Sequence, residues 1–262
     1  MNSLRRVPLV AILALVLAAT GALSSWAKST NPSSLPRGLA LNSLAESTAL
    51  YCTGLSSAAQ GSPGRVTFTN TTGASHLINI EVVSDTGVTV TRATNLAPFT
   101  SISINAGAAQ HGNFFGVSAQ VSGGGVVGVE VTNDNASETP CISTGVTNWS
   151  AAGFDTTVGS HAGLSIYNPT ATPAVFDVSA YTPSGEVVPA KYQGIAVGAH
   201  DEAHIDLGTQ VVNMSNVGVH VKVLRGTLVI VGVQKSGSVV SLVSGVNDDM
   251  MSALFPSVTT AQ

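Results

Sequence analysis

Apolar and polar residues alternate along most of the chain, in short segments that are separated by turn residues. In residues 78–82 the apolar side chains stand at every second position, with polar side chains between them. The same period of two recurs in residues 117–121, 176–180 and 219–223. This period is typical of antiparallel strands that have one buried face and one solvated face. The pattern therefore predicts many short strands.

The strand pattern occurs twice. Residues 64–87 align without gaps on residues 162–185, at an offset of 98 residues. Residues 116–131 align on residues 218–233, at an offset of 102 residues. Two copies of one module of about 100 residues explain both matches. With roughly seven short strands in each copy, the sequence predicts an all-β fold of two tandem immunoglobulin-like antiparallel β-sandwich modules.

The repeat divides the chain into five predicted parts. Tyr51 lies 98 residues before Trp149, so the openings of the two copies also match. The parts are a signal peptide or membrane anchor (1–27), a polar linker (28–48), the first β-sandwich module (49–144), the second module (145–247) and a C-terminal tail (248–262).

The N-terminal segment has the pattern of a secretory signal. Arg5 and Arg6 precede an apolar run over residues 7–23, and small residues follow up to Ala27. Cleavage after Ala27 fits this pattern. The run has about 17 residues, near the lower limit for a membrane span, so an uncleaved anchor is the alternative. Both predict an extracytoplasmic protein, either secreted or anchored to the plasma membrane by an N-terminal helix.

Charge and cysteine content limit the partners and the compartment. The net charge is −4 and charged residues make up 9% of the chain, with no cluster of basic residues. Nucleic-acid binding requires such a cluster, so no nucleic-acid partner is expected. In an exported chain the isolated pair Cys52 and Cys141 predicts a disulfide, and two free buried thiols are the alternative. Closing a loop of this length stabilises a fold by about 4.5 kcal/mol in the chain-entropy model.

The segment "HDEAH" at residues 200–204 has the spacing of a zinc-binding helix. The alternation around it instead predicts a strand with its polar residues on a solvated outer face: His200, Glu202, His204 and Asp206. On a strand the two histidines stand roughly 13 Å apart, whereas ligand atoms lie about 2 Å from zinc. Glu202 and His204 could chelate a metal only if a neighbouring strand supplied a third ligand. No metal site is therefore predicted.

A second apparent motif is the G-x-G-x-x-G pattern at residues 123–128. The dinucleotide fingerprint requires a helix after it, but residues 127–131 continue as a strand. The pattern therefore predicts a hairpin turn. No G-x-S-x-G or H-E-x-x-H motif occurs. We expect no enzymatic activity and no cofactor.

One apolar strip is confined to the second copy. Leu224, Leu228 and Ile230 are assigned to the outer face, where the first copy has Ser122, Val126 and Gly128. An exposed apolar strip indicates a contact. We predict that these three residues form an interaction surface, which is covered by the first module, by the tail or by a partner.

Several short segments carry a resemblance to a known family. They are "YCTG" (51–54), "TPC" (139–141), "NW" (148–149), "LSIYNPTATPAVFDVSAYTPSGEV" (164–187) and "RGTLVIVGVQ" (225–234). In these the chain resembles actinobacterial exported proteins that are grouped as domain of unknown function 5719. The resemblance implies an envelope protein of repeated β-sandwich modules behind an N-terminal signal or anchor. It supplies no catalytic residues.

These features lead to three functional hypotheses. The first is a non-enzymatic exported cell-envelope protein that acts as a scaffold or accessory binding module for an envelope complex. The second is a pair of carbohydrate-binding modules on the cell wall, and the third is a hydrolase with an unrecognised site. The expected partners are an envelope protein complex or wall glycan. Membrane contact is expected at the N-terminus if the signal is uncleaved.

Overall fold

A computed structural model describes residues 47–60, 63–105, 111–132 and 137–248. Within these ranges the regular elements are β-strands and short 3-10 turns, which confirms the all-β class. The predicted signal or anchor, most of the linker and nearly all of the tail lie outside the described residues. In the part of the chain that the structure describes, no helix has the length and apolar character needed to cross a membrane.

The first half of the described chain forms two antiparallel sheets. Sheet 1 has the strand order β1-β6-β3-β4, and sheet 2 has the order β5-β2-β7-β8. Apolar side chains from both sheets, among them Phe68 and Phe115, form one core, as in a β-sandwich. The strands are β1 (Ser47–Ser56), β2 (Arg65–Asn70), β3 (His76–Ser84), β4 (Thr89–Leu96), β5 (Ser101–Asn105), β6 (Phe114–Ser122), β7 (Val126–Thr132) and β8 (Ser137–Pro140).

The second half has two further antiparallel sheets with a core of their own. Sheet 3 has the order β14-β10-β16-β17, and sheet 4 has the order β12-β11-β15-β9-β18, with β13 also paired to β11. Phe154 and Phe176 are central in this core. The strands are β9 (Asn148–Phe154), β10 (Ser160–Asn168), β11 (Ala174–Thr182), β12 (Gly185–Val187), β13 (Ile195–Val197), β14 (Asp201–Asp206), β15 (Val217–Arg225), β16 (Val229–Ser236), β17 (Val239–Val243) and β18 (Val246–Asn247).

The two halves share one strand order. Strands β1, β6 and β3 of sheet 1 correspond to β9, β15 and β11 of sheet 4, and sheet 2 corresponds strand for strand to sheet 3. Residues at the same place in the two ladders are called counterparts below. For example, Thr69 pairs with Val127 as Tyr167 pairs with Val229, so Thr69 and Tyr167 are counterparts.

One asparagine has the same role in each half. Asn70 donates through its side-chain amide to the carbonyl oxygens of residues 74, 96 and 97, and its Oδ1 accepts from Thr72. Asn168 makes the same set of bonds to residues 172, 197, 198 and Thr170. A buried amide that satisfies several backbone groups fixes the loops around it.

The register corrects two expectations. Trp149 pairs with Val221 as Leu50 pairs with Ala119, so the counterpart of Trp149 is Leu50 and the predicted match to Tyr51 is wrong by one residue. A shift of one residue moves a side chain to the other face of its sheet. The glycine-rich segment 123–125 is indeed a turn between two strands, but β6 and β7 belong to different sheets, so it is not a hairpin turn.

Candidate functional site at the junction of the two halves

The outer face of sheet 3 packs against β1, β3 and β6 of sheet 1. We call this contact the junction. Its apolar part is a cluster of five side chains. They are Val83, Tyr167 and Val229, with Tyr51 and Ile142 packed against them. Gly116 allows the close approach, because a Cβ atom there would lie 2.5 Å from Cδ2 of Tyr167.

A buried polar cluster lies in the same contact. Thr53 Oγ1 of the first half lies 3.0 and 2.9 Å from the two carboxyl oxygens of Glu202 in the second half. Ser165 donates to Glu202 and lies 3.0 Å from Thr53 Oγ1. Burial raises the pKa of Glu202 to about 8, against the opposing effects of the two hydroxyl groups. The carboxyl group is therefore protonated at neutral pH and can itself donate a hydrogen bond.

Glu130 is a second buried carboxyl group beside the junction. Both of its side-chain oxygens are buried without a hydrogen-bond partner. Burial, with a smaller contribution from the charge of Glu202, raises its pKa well above the ordinary value. Glu130 lines a cavity of about 150 Å³ between the halves. Its counterpart is Gly232, against which Phe154 packs, so the fold itself does not require a carboxyl group at this position.

The "HDEAH" segment confirms one prediction and corrects another. Residues 201–206 form strand β14, as predicted, but contrary to the prediction the strand does not include His200, which has a φ of 49° and precedes β14. The expectation of a solvated outer face is wrong, because the first half covers it: Glu202 is only 3% exposed. His204 stacks on Phe114 with ring centroids 3.7 Å apart, and burial lowers its pKa to about 4. His200 and Asp206 do remain exposed.

The geometry leaves Glu202 and His204 occupied with other contacts. Glu202 bonds to Thr53 and Ser165, and His204 stacks on Phe114. In the described parts of the chain, no three histidine, cysteine, aspartate or glutamate side chains are grouped closely enough to hold a metal ion. The third ligand that a chelate of Glu202 and His204 needs is therefore not among the described residues.

A groove of about 300 Å³ opens at the edge of the junction. The stacked rings of Phe114 and His204 form part of its wall. Gln60 from the first half and Asp206 and Lys235 from the second half supply polar groups. Pockets between packed domains with a few convergent polar groups are common sites for small ligands.

The predicted interaction surface is not one surface. Leu228 and Ile230 are buried in the core of the second half, and only Leu224 is exposed. Core positions are odd-numbered in β15 and even-numbered in β16, because the turn between these strands shifts the phase of the alternation. The outer residues of β16 are instead Val229, Val231 and Val233, which the first half covers.

The two cysteines lie together in the first half. The Sγ atoms of Cys52 and Cys141 are 2.01 Å apart, a disulfide distance, and their Cα atoms are 4.7 Å apart. The link joins β1 to the segment that follows β8. In the second half the counterpart of Cys52 is Ala151.

A serine, a histidine and an aspartate meet on the outer face of sheet 4. Ser150 Oγ lies 3.0 Å from His220 Nδ1 and donates to Asp248 Oδ2 at 2.6 Å. Asp248 Oδ2 lies 3.2 Å from the same nitrogen of His220. A hydrolytic triad needs the serine on one ring nitrogen and the carboxylate on the other. This trio is therefore not arranged as a hydrolytic triad.

A family model matches residues 105–250, which is more than half of the chain. The chain belongs to a family of unknown function (DUF5719). The DUF5719 match spans all strands of the second half and β6 to β8 of the first half. It therefore includes both Glu130 and Glu202. Comparison with curated proteins and with solved structures gives no significant match.

Sequence reasoning missed Glu130, Thr53 and Ser165, and it misjudged the environment of Glu202. One signal lay in the repeat. In sheet 2 the outer face carries small hydroxyl residues, with Ser101 bonded to Thr69 and Ser103 bonded to Thr67. Their counterparts in sheet 3 are Glu202, Tyr167, His204 and Ser165. The large side chains Tyr167, Glu202 and His204, which have small hydroxyl residues as counterparts in sheet 2, indicated that the outer face of sheet 3 becomes covered.

Proposed function

We propose that this protein is a non-enzymatic exported scaffold of the cell envelope, built from two tandem immunoglobulin-like sandwiches. The observation that carries the proposal is that the large and ionisable side chains of sheet 3 lie in the contact between the two halves. Glu202, Tyr167 and His204 lie inside the contact between the two halves, where they join two sandwiches. A scaffold needs this kind of fixed geometry, because partners bind to surfaces whose relative position is held.

Export is supported by two features. The N-terminal sequence has a basic start, an apolar run and small residues, as in secretory signals. The cysteine pair at disulfide distance is typical of oxidising compartments outside the cytoplasm.

A crosslinking pull-down tests the proposal. The full chain carries a C-terminal tag in its native host, intact cells are crosslinked, and membrane, wall and culture fractions are analysed separately. We expect the protein outside the cytoplasm together with a specific envelope protein. Gly116→Ala should lose this partner, because it disturbs the junction, whereas Gly124→Ala should retain it, because an added Cβ atom there meets no other atom within 4 Å. Recovery from the cytoplasm, or without a specific partner, contradicts the proposal.

The groove favours a second candidate function, the binding of wall carbohydrate. Its volume of about 300 Å³ and its mixture of aromatic and polar walls suit one sugar ring. Titration of the protein with soluble wall fragments, followed by NMR, tests this candidate. We expect shifts of residues that line the groove and weaker binding by Lys235→Ala. Unchanged spectra at saturating glycan contradict it.

A further inference from the structure

The junction uses one face of each half. The corresponding face of the other half makes no such contact. Sheet 1 receives sheet 3 at the junction, and sheet 4 is the counterpart of sheet 1. Sheet 3 docks at the junction, and sheet 2 is the counterpart of sheet 3. Among the described residues, no sheet packs on the outer face of sheet 4, which we call the free receiving face. The outer face of sheet 2 is likewise not docked on another sheet of the described residues, and we call it the free docking face.

The free receiving face carries exposed apolar residues at the positions that the junction uses. Val83 pairs with Gly116 as Tyr181 pairs with Gly218, so Tyr181 is the counterpart of Val83. Val83 is buried in the junction cluster, whereas Tyr181 is 45% exposed. The partner of Tyr51 at the junction is Ile142. Its counterpart on β18 is Val246, which is 51% exposed.

The free docking face shows the same feature. Val229 is buried in the junction cluster, and its counterpart Val127 is 49% exposed. Three of the five cluster residues, Val83, Val229 and Ile142, thus have exposed apolar counterparts, on two faces that match as docking and receiving faces. The counterparts of the two tyrosines are polar: Ser150 for Tyr51 and Thr69 for Tyr167. Exposed apolar residues scattered on a surface require no explanation, but their coincidence with junction positions does.

We propose that a second copy of this chain covers these faces, with the sheet 2 face of one copy docked on the sheet 4 face of the next. Such a contact joins two different surfaces, so it runs head to tail and leaves one of each face free at the ends of the assembly. It repeats between chains the contact that the junction makes within one chain. The inference holds whatever the location or ligand of the protein.

The contact between copies should be weaker than the junction. The polar cluster of Glu202 and Thr53 has no equivalent at the free faces, because the counterpart of Glu202 is Ser101. The counterpart of Tyr167 is Thr69, which buries less apolar surface. A reversible, concentration-dependent association is therefore expected.

Sedimentation velocity with three variants tests the proposal, using the protein recovered after expression of the full chain. Val127→Asp blocks the docking face and Tyr181→Asp blocks the receiving face. Val158→Asp is the matched control, because Val158 is 96% exposed in a turn outside both faces. We expect wild type and Val158→Asp to associate alike as concentration rises, and each of the other variants alone to remain monomeric.

Mixing the two blocked variants gives the decisive result. Val127→Asp retains an intact sheet 4 face, and Tyr181→Asp retains an intact sheet 2 face, so the equimolar mixture should form one-to-one dimers. Circular dichroism of each variant verifies the fold. A wild type that stays monomeric up to about 1 mM overturns the proposal, as does a mixture of folded variants that fails to dimerise. Association that occurs only after removal of residues 249–262 also overturns it, because the tail would then be the occupant.

Discussion

At the scale of single residues, Glu202 shows how burial sets the protonation state. Its carboxyl group is removed from water by the contact between the halves, which disfavours the charged form. Thr53 and Ser165 donate to its oxygens, which favours the charged form, but the effect of burial on the pKa is larger. Glu130 lies in a similar environment without such partners. The junction therefore contains two acids that resist ionisation.

This predicts that stability falls as pH rises. Folded Glu202 has a pKa of about 8 and the ordinary value is 4.5, so its stabilising effect is complete below pH 4.5 and is lost as pH rises towards 8. Each pH unit in this window costs about 1.4 kcal/mol per buried acid. Denaturant unfolding between pH 6.5 and 8 measures the effect. We expect Glu202→Gln to unfold with a clearly smaller pH dependence than wild type.

The choice of window isolates the glutamates from His204. The folded pKa of His204 is about 4 and the ordinary value is 6.5, so its contribution is lost as pH falls below 6.5 and is constant above that value. Glu138→Gln, at an exposed position on β8, is the control and should behave as wild type. An equal pH dependence in wild type and Glu202→Gln would contradict the assignment.

At the scale of elements, the same strand arrangement serves two purposes. In sheet 2 the outer face carries exposed hydroxyl pairs, whereas in sheet 3 it carries Tyr167 and Glu202, which are buried, and His204, which stacks on Phe114. In sheets 1 and 4 a glycine occupies the same position, Gly116 and Gly218. Only Gly116 faces a large side chain of the other half, which is Tyr167.

The two glycines give a matched pair of substitutions. A Cβ atom at Gly116 would lie 2.5 Å from Tyr167, whereas at Gly218 the nearest atom outside its chain neighbours would be 3.5 Å away, an ordinary contact. We expect Gly116→Ala to lower the free energy of unfolding by about 1–3 kcal/mol, as overpacking does. Gly218→Ala should change it by less than about 0.5 kcal/mol. Denaturant unfolding distinguishes these outcomes, and equal effects of the two substitutions would contradict the described junction.

At the scale of the whole molecule, two hydrophobic cores meet through one covered face. The first half carries the paired cysteines, and the second half forms the same arrangement of strands without them. Trp149 on β9 packs against Gly245 in the segment before β18. At the corresponding place the first half has Leu50 and the cysteine pair. The halves therefore reach similar cores by different means.

Reduction of the cysteine pair should affect the first half selectively. The pair closes a sequence separation of 89 residues, so its loss should lower the free energy of unfolding by up to about 4.5 kcal/mol in the chain-entropy model. Hydrogen exchange with and without reductant should show lost protection first in β1, which carries Cys52, and in β8, which directly precedes Cys141. Mass spectrometry of the denatured, alkylated protein should show two modified thiols only after reduction. Alkylation without reductant would contradict the disulfide.

The sequence alone determined the all-β class, the repeat and, in the clearly alternating strands, which side chains face a core. A period of two indicates which side chains face a core, because alternation is a local property of a strand. An internal match indicates a shared strand order, because similar sequences form similar arrangements of strands. The location of the strand over residues 201–206 and the proximity of Cys52 to Cys141 followed from the same local and compositional information.

Only the tertiary structure decided what covers each outer face. The period of two cannot distinguish water from a second sandwich as the neighbour of a strand. It therefore predicted solvated side chains for Glu202 and His204, although the first half buries Glu202 and stacks Phe114 on His204. It also cannot fix the phase across a turn, which is why Leu228 and Ile230 were assigned outside although they lie in the core. The junction depends on contacts between residues more than 100 positions apart, such as Thr53 with Ser165. Contacts between residues so far apart in sequence depend on how the surfaces of the two folded halves fit together. A local pattern of apolar and polar residues does not contain this information.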